Sequence, residues 1–137
     1  MAAKKVIQML NELRSAELSA IQQYMRLHYT VTGPHARVYA DFFKQIAIDE
    51  MKHAEMAAER VTMLGGDPTE VPCKKIAKPK TAKSMLKLVL GEEEEAVKMY
   101  KAYLKKLPPD DSTTRRLIEE ILADEERHAD EARTLLE

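Results

Sequence analysis

The sequence predicts an all-α protein, a bundle of four helices with a long connection between the second and the third. Three observations support this fold class. Apolar residues recur at spacings of three and four through four separate stretches of the 137-residue chain. Glycine occurs only 4 times, and all 6 prolines fall between those stretches. The connections are short, long and short, which gives two antiparallel helix pairs joined by a crossover.

The first helix is predicted over about residues 5–30 and the second over about residues 36–64. Gly33 and Pro34 end the first, and Gly65 and Gly66 close the second as a C-terminal cap. The residues predicted to face the core are Leu10, Leu13, Glu17, Ile21, Tyr24, His28 and Val31 in the first helix, and Tyr39, Phe43, Ile46, Glu50, His53, Ala57, Val61 and Leu64 in the second.

The connection of residues 67–80 has no sustained period and is long enough to span the bundle. Thr81 is the predicted N-cap of the third helix, about residues 82–107, and the fourth begins near residue 112. The residues in phase are Leu86, Leu90, Glu93, Val97, Tyr100 and Leu104, then Ile118, Ile121, Leu122, Glu125, His128, Ala132 and Leu135.

The motif Glu-x-x-His occurs twice, at Glu50–His53 and Glu125–His128, each time on a predicted buried face. Residues three apart on a helix project from the same side, so each copy can hold a metal ion. Glu17 and Glu93 stand at apolar positions of the other two helices. Buried carboxylates are costly unless paired or bound to metal, so the pattern predicts a two-metal site rather than ordinary exposed pairs.

Carboxylate and imidazole ligands suit iron, manganese and zinc, and we expect iron. Glu93 lies in a run of four glutamates; it alone is in phase with the apolar stripe, and Glu92 is the alternative. We expect Glu17 and His53 to hold one metal ion, Glu93 and His128 the other, and Glu50 and Glu125 to bridge them.

Other polar residues on the stripes have less specific interpretations. Tyr24, two turns beyond Glu17, is expected to hydrogen-bond a ligand carboxylate or to supply an electron, and a plain core tyrosine is the alternative. Tyr100 is assigned to packing and His28 to the core or a subunit interface.

Composition narrows the class of protein. A net charge of −1 argues against an electrostatic grip on nucleic acid. The only cysteine, Cys73, excludes an internal disulfide and suggests a reducing compartment. Without an apolar stretch that would suit a membrane span or a signal peptide, we expect one cytoplasmic domain over residues 1–137.

The chain resembles bacterioferritin, a haem-bearing branch of the ferritin-like family. Three blocks carry the likeness: LNELRSAELSAIQQY (10–24), IDEMKHAE (48–55) and ILADEERH (121–128); the third helix matches more weakly. The six expected ligands fall on that family's ferroxidase ligands. The resemblance implies two non-haem iron ions per chain, oxidation of ferrous iron by oxygen or peroxide, and storage of ferric mineral inside a protein shell.

The resemblance also implies a haem site. Met51 follows Glu50 and so points about 100° around the helix from it. In bacterioferritin the matching methionine ligates haem iron at a two-fold subunit interface, and a thioether suits that role. A methionine that fills a subunit contact is the alternative.

The expected assembly is a homo-oligomer. Bacterioferritins usually have a short fifth helix that lines a 24-subunit shell, whereas this sequence stops at Glu137, nine residues after His128. A 12-subunit shell, as in mini-ferritins, is therefore favoured. The alternative functions are a rubrerythrin-like di-iron peroxidase, although the paired cysteines of its usual electron relay are missing, and a DNA-protecting mini-ferritin.

Overall fold

The computed structural model describes residues 2–137, which form four helices: α1 (Ala2–Thr30), α2 (Ala36–Met63), α3 (Ala82–Lys106) and α4 (Ser112–Leu136). The all-α prediction is confirmed, and the helix bounds agree with those predicted except that α1 begins earlier. Within residues 2–137 there is no strand and no fifth helix. None of the four helices described for residues 2–137 combines the length and the apolar character that crossing a bilayer requires.

Two apolar clusters fill the opposite ends of the bundle. One contains Leu10 from the start of α1, Val61 from the end of α2, Tyr103 from the end of α3 and Ile118 from the start of α4. The other joins the remaining halves of the same helices. The pattern means that α1 and α4 run antiparallel to α2 and α3. Buried charged residues occupy the layer between the clusters, at the helix midpoints.

The helix ends follow the local sequence. Thr81 caps α3 by accepting a hydrogen bond from the Ser84 amide, and the Ser84 hydroxyl accepts one from the Thr81 amide. After α2, Gly65 adopts a left-handed φ of 88°, and the Gly66 amide donates to the Val61 carbonyl at 2.9 Å. A β-carbon on Gly66 would lie 2.7 Å from Ile7, so the chain passes close to α1 here.

The crossover, residues 64–81, lies along α1 and is held there by hydrogen bonds. Asn11, Ser15, Ser19 and Gln23 are spaced by four and lie on one face of α1. Each of these side chains forms a hydrogen bond with the crossover backbone. The first joins Asn11 to the Asp67 carbonyl at 3.1 Å, and the last joins Gln23 to the Ala77 amide at 2.7 Å. The crossover therefore follows the direction of α1 and carries the chain back to begin α3.

The buried face of α3 differs slightly from the predicted stripe. Leu90 and Val97 are only partly buried, whereas Met85, Val89 and Tyr103 are buried. The face is shifted because α3 packs against α1 as well as α4. Glu93 lies inside either version of the face, so the shift leaves the central layer unchanged.

Candidate metal centre

The six side chains expected to bind metal converge at the middle of the bundle, and none is more than 2% exposed. They form two overlapping groups, in each of which one oxygen or nitrogen per residue lies within 4.8 Å of the others. Glu50 and Glu125 belong to both groups, which is the arrangement expected of bridging ligands. The groups are Glu17, Glu50, His53 and Glu125, and Glu50, Glu93, Glu125 and His128.

The structure distinguishes between the two glutamates that the sequence left open. Glu93 is 1% exposed and belongs to the central groups. Glu92 is partly exposed and its carboxylate lies 2.8 Å from the ammonium of Lys74, at the surface. Of the pair, Glu93 is therefore the one that lies among the buried candidate ligands.

Several atoms at the centre lack a hydrogen-bond partner among the described residues. They are Glu50 Oε1, Glu93 Oε2, Glu125 Oε1 and His128 Nδ1, all buried. His53 Nδ1 lies 2.9 Å from Glu50 Oε1, but its hydrogen bond is made with Glu17. Such atoms are costly without a partner, and a cation would satisfy them. When ionised, the four carboxylates of the centre carry a charge of −4, which two divalent cations would balance. The oxygen and imidazole donors suit iron.

The imidazole of His53 is held from both sides. Its Nδ1 faces the centre, 2.8 Å from Glu17 Oε2 and 2.9 Å from Glu50 Oε1. Its Nε2 lies 2.7 Å from Oδ2 of Asp124. Because an ionised aspartate can only accept a hydrogen bond, Nε2 carries a hydrogen, and Nδ1 is the nitrogen that faces the other candidate ligands.

The second histidine repeats this arrangement with the helices exchanged. His128 on α4 donates through Nε2 to Oδ2 of Asp49 on α2 at 2.8 Å. Arg127 lies 3.5 Å from Asp49 and 3.3 Å from Asp124, so one guanidinium links both aspartates. Sequence reasoning missed the two aspartates. The signal was present, because each immediately precedes the glutamate of a Glu-x-x-His motif.

Two buried tyrosines donate to the outer ligands. The hydroxyl of Tyr24 lies 2.6 Å from Glu93 Oε1, and that of Tyr100 lies 2.8 Å from Glu17 Oε1. Tyr24 thus makes the predicted contact with a carboxylate. The assignment of Tyr100 to packing was incomplete. Each tyrosine follows a glutamate by seven residues, Glu17 before Tyr24 and Glu93 before Tyr100, a shared spacing that would have identified both.

Burial and crowding of like charges favour protons at the metal-free centre. Burial, with the charges of Glu17 and Glu125, raises the pKa of Glu50. Burial, with the charges of Glu17 and Glu93, raises the pKa of Glu125 to about 8. Burial lowers the pKa of His53, but the hydrogen bond and charge of Glu17, the charge of Glu125 and the hydrogen bond with Asp124 together outweigh burial and raise it to about 9. A divalent cation would replace these protons.

A cavity of about 180 Å³ leads from the centre to the surface between α1 and α3. Its inner wall is formed by the carboxylates of Glu17, Glu50, Glu93 and Glu125. The outer wall is formed by crossover and α3 residues, among them Cys73, Lys74, Glu92 and Glu95. The histidines and their aspartates lie on the opposite side. A small ion or oxidant can therefore approach the carboxylates from the α1–α3 side.

Met51 lies outside the centre. It is 55% exposed on the surface of α2. His28 is partly buried, with Nδ1 2.7 Å from the Ala40 carbonyl oxygen, and so packs α1 against α2. Neither residue belongs to the two groups at the centre.

Comparison with known proteins shows which family the chain matches. Residues 7–137 match the family described as the ferritin-like domain. The chain is 38% identical over 125 residues to the bacterioferritin of Desulfovibrio desulfuricans, covering 90% of this chain and 70% of that protein. A structure of the bacterioferritin from that organism, described with its diiron site in different catalytic states, superposes with a TM-score of 0.89 at 34% identity, covering 98% of this chain and 80% of that one.

A second solved structure matches almost the whole of this chain. It is a dodecameric thioferritin, the bacterioferritin-related protein of Bacteroides fragilis. Its TM-score is 0.92 at 27% identity, and the match covers 99% of this chain and 86% of that one.

Proposed function

The chain belongs to the ferritin-like family, within which its relatives are bacterioferritins, and from this we propose that it is a ferroxidase that detoxifies and stores iron. One observation carries the proposal. Two overlapping groups of buried side chains share Glu50 and Glu125, and four of their atoms have no hydrogen-bond partner among the described residues. Such a centre suits a pair of metal ions held side by side in a bundle core.

Each of the two groups of residues would hold one iron ion. Glu17 and His53 would hold one iron, Glu93 and His128 the other, and Glu50 and Glu125 would bridge them. Two adjacent ferrous ions would supply two electrons to one molecule of oxygen or peroxide. Asp49 and Asp124 hold the imidazoles in the orientation that binding needs. The apolar clusters close the layer toward the two ends of the bundle.

We further propose that the oxidised iron is stored as mineral within a homo-oligomeric shell in the cytoplasm. A 12-subunit shell is supported by the likeness to the dodecameric Bacteroides fragilis protein. Haem at a two-fold subunit interface, bound through Met51, is the accompanying proposal. It is supported by the exposed position of Met51 on α2 and by the bacterioferritin relatives.

Metal stoichiometry tests the centre directly. Metal-free protein titrated with Co²⁺, which oxygen does not readily oxidise, should bind two ions per chain. Glu125→Gln should lose both ions because Glu125 belongs to both groups, whereas Glu17→Gln should keep one. Equal losses in the two variants would contradict the shared-ligand arrangement, and no binding by the unaltered protein would overturn the proposed function.

Aerobic loading with ferrous iron then tests storage. A ferritin should take up many irons per chain and elute on native sizing as a large shell. Uptake that stops at two irons, in a small oligomer that reduces peroxide with an added reductant, would instead identify a rubrerythrin-like peroxidase.

A further inference from the structure

A positively charged side chain, that of Lys74, lies in the outer wall of the cavity. The Lys74 ammonium lies 2.9 and 2.8 Å from the two carboxylate oxygens of Glu92 and 3.8 Å from Glu95 Oε2. Glu92 and Glu95 are three residues apart and therefore lie on the same side of α3. All three residues line the cavity that leads to the centre.

We propose that Glu92 and Glu95 form an outer binding site for an incoming divalent cation, and that Lys74 occupies this site until the cation displaces it. The inference rests on the proposed function, in which ferrous iron is the ion that reaches the centre. The outer site would collect the ion, and the carboxylates deeper in the cavity would then receive it.

The position of the site relative to the unpaired atoms supports this inference. Glu93 follows Glu92 directly, but its side chain is 1% exposed and its Oε2 has no partner among the described residues. Glu50 and Glu125, whose Oε1 atoms are also unpaired, line the inner part of the same cavity. Carboxylate oxygens therefore line the route from its mouth to its inner end, where the cation would be bound.

Lys74 is placed so that its side chain can leave while its backbone remains. The hydroxyl oxygen of Ser19 accepts hydrogen bonds from the Cys73 amide at 2.8 Å and the Lys74 amide at 3.1 Å. These bonds fix the crossover over the cavity. The Lys74 side chain itself is 48% exposed, so its ammonium can be hydrated when it swings away. Exposed ion pairs of this kind are weak and are screened by salt.

The test measures how fast Co²⁺ reaches the centre of the metal-free, full-length protein, by stopped-flow absorption. Lys74→Gln should raise the second-order rate at low salt about threefold or more, because the competing ammonium is gone. Glu92→Gln should lower it by a similar factor. The equilibrium affinity of the inner centre should change little in either variant, since neither residue belongs to the two inner groups.

Matched controls separate local competition from general attraction between charges. Lys75→Gln removes the same charge from the adjacent residue, which does not line the cavity. Glu94→Gln removes a carboxylate that lies near Arg133, away from Lys74. Rates altered equally in Lys74→Gln and Lys75→Gln, or in Glu92→Gln and Glu94→Gln, would overturn the outer site, as would unchanged rates in both Lys74→Gln and Glu92→Gln.

The outer site can fail independently of the proposed function. If the unaltered protein binds two Co²⁺ ions but the Lys74 and Glu92 variants match their controls, only the outer site is wrong. If the unaltered protein binds no Co²⁺ at the centre, the proposed function fails and the outer site fails with it.

Discussion

His53 on α2 donates a hydrogen bond through Nε2 to Asp124 on α4 at 2.7 Å, and the aspartate immediately before Glu125 thereby orients a ligand from the other motif. The exchange is reciprocal, since Asp49, immediately before Glu50, accepts from His128. Each Asp-Glu-x-x-His segment thus serves both candidate metal positions. The two helices that supply the histidines are also tied together across the bundle.

Replacing Asp124 should weaken metal binding without removing a ligand. Asp124→Asn loses the negative charge that makes His53 a better donor, so we expect Co²⁺ affinity to fall about tenfold. Isothermal titration calorimetry provides the measurement. Asp130→Asn, on the exposed side of α4 near Arg133, is the matched control and should bind as the unaltered protein does. Equal affinities for both variants would show that Asp124 has no positioning role.

The two tyrosines should act on different metal positions. Tyr24→Phe removes the donor to Glu93, and Tyr100→Phe removes the donor to Glu17. Each loss leaves a buried carboxylate oxygen without its partner, and the metal-free protein should be destabilised by about 1.5–3 kcal/mol. In a stepwise Co²⁺ titration, Tyr24→Phe should weaken binding at the metal position that includes Glu93, and Tyr100→Phe should weaken binding at the position that includes Glu17.

The same pair of variants decides between the two roles proposed for Tyr24. Iron oxidation slowed equally in both would indicate a hydrogen-bonding role alone. Oxidation slowed much more by Tyr24→Phe, with loss of a tyrosyl radical signal in electron paramagnetic resonance, would indicate that Tyr24 supplies an electron.

Stability of the metal-free protein should fall as the pH rises from about 5 to 9. The pKa of Glu125 is raised from 4.5 to about 8, so the folded state keeps a proton that the unfolded chain has lost. Its stabilising contribution is complete below pH 4.5 and is lost as the pH rises through 8. His53, raised from 6.5 to about 9, acts in the same direction over pH 6.5–9.

Urea unfolding in the presence of a chelator measures this dependence. We expect the free energy of unfolding to fall by about 1 kcal/mol per pH unit above neutrality. Glu125→Gln, which removes one of the titrating groups, should show a shallower dependence. Saturating Co²⁺ should reverse the slope, because metal binding requires deprotonated ligands. A metal-free protein whose stability is constant or increases over this range would contradict the proposed proton occupancy.

Met51→Ala tests the haem proposal. Protein reconstituted with haem should show a Soret band, and the substitution should abolish it or shift it by removing the axial thioether. Met63→Ala removes another exposed methionine of α2 and should leave the band unchanged. A band that is identical in Met51→Ala and the unaltered protein would exclude Met51 as the ligand.

The fold was accessible from the sequence because strong local signals agreed. The apolar period, the Thr81 cap and the glycine pair Gly65–Gly66 all specify where helices begin and end without reference to distant residues. The exact buried face of α3 was less accessible. It depends on how α1 and α4 share the surface of α3, and that is a tertiary property.

The centre was only partly predictable for the same reason. Glutamates and histidines in the apolar phase marked the six buried side chains. Asp49 and Asp124 escaped notice because they stand one position outside that phase, and their partners lie on another helix. The contact of Lys74 with Glu92 joins an aperiodic connection to α3, and no spacing rule relates the two.

The hydrogen bonds that hold the crossover make its length matter more than its composition. Between Asp67 and Ala77 they engage mostly peptide groups, so many side chains could be exchanged there without loosening the segment. One added or deleted residue would instead put every later peptide group out of step with the α1 side chain opposite it. Lys74, which now faces Glu92, would then be displaced along α1. The crossover therefore tolerates substitutions but not a change in length.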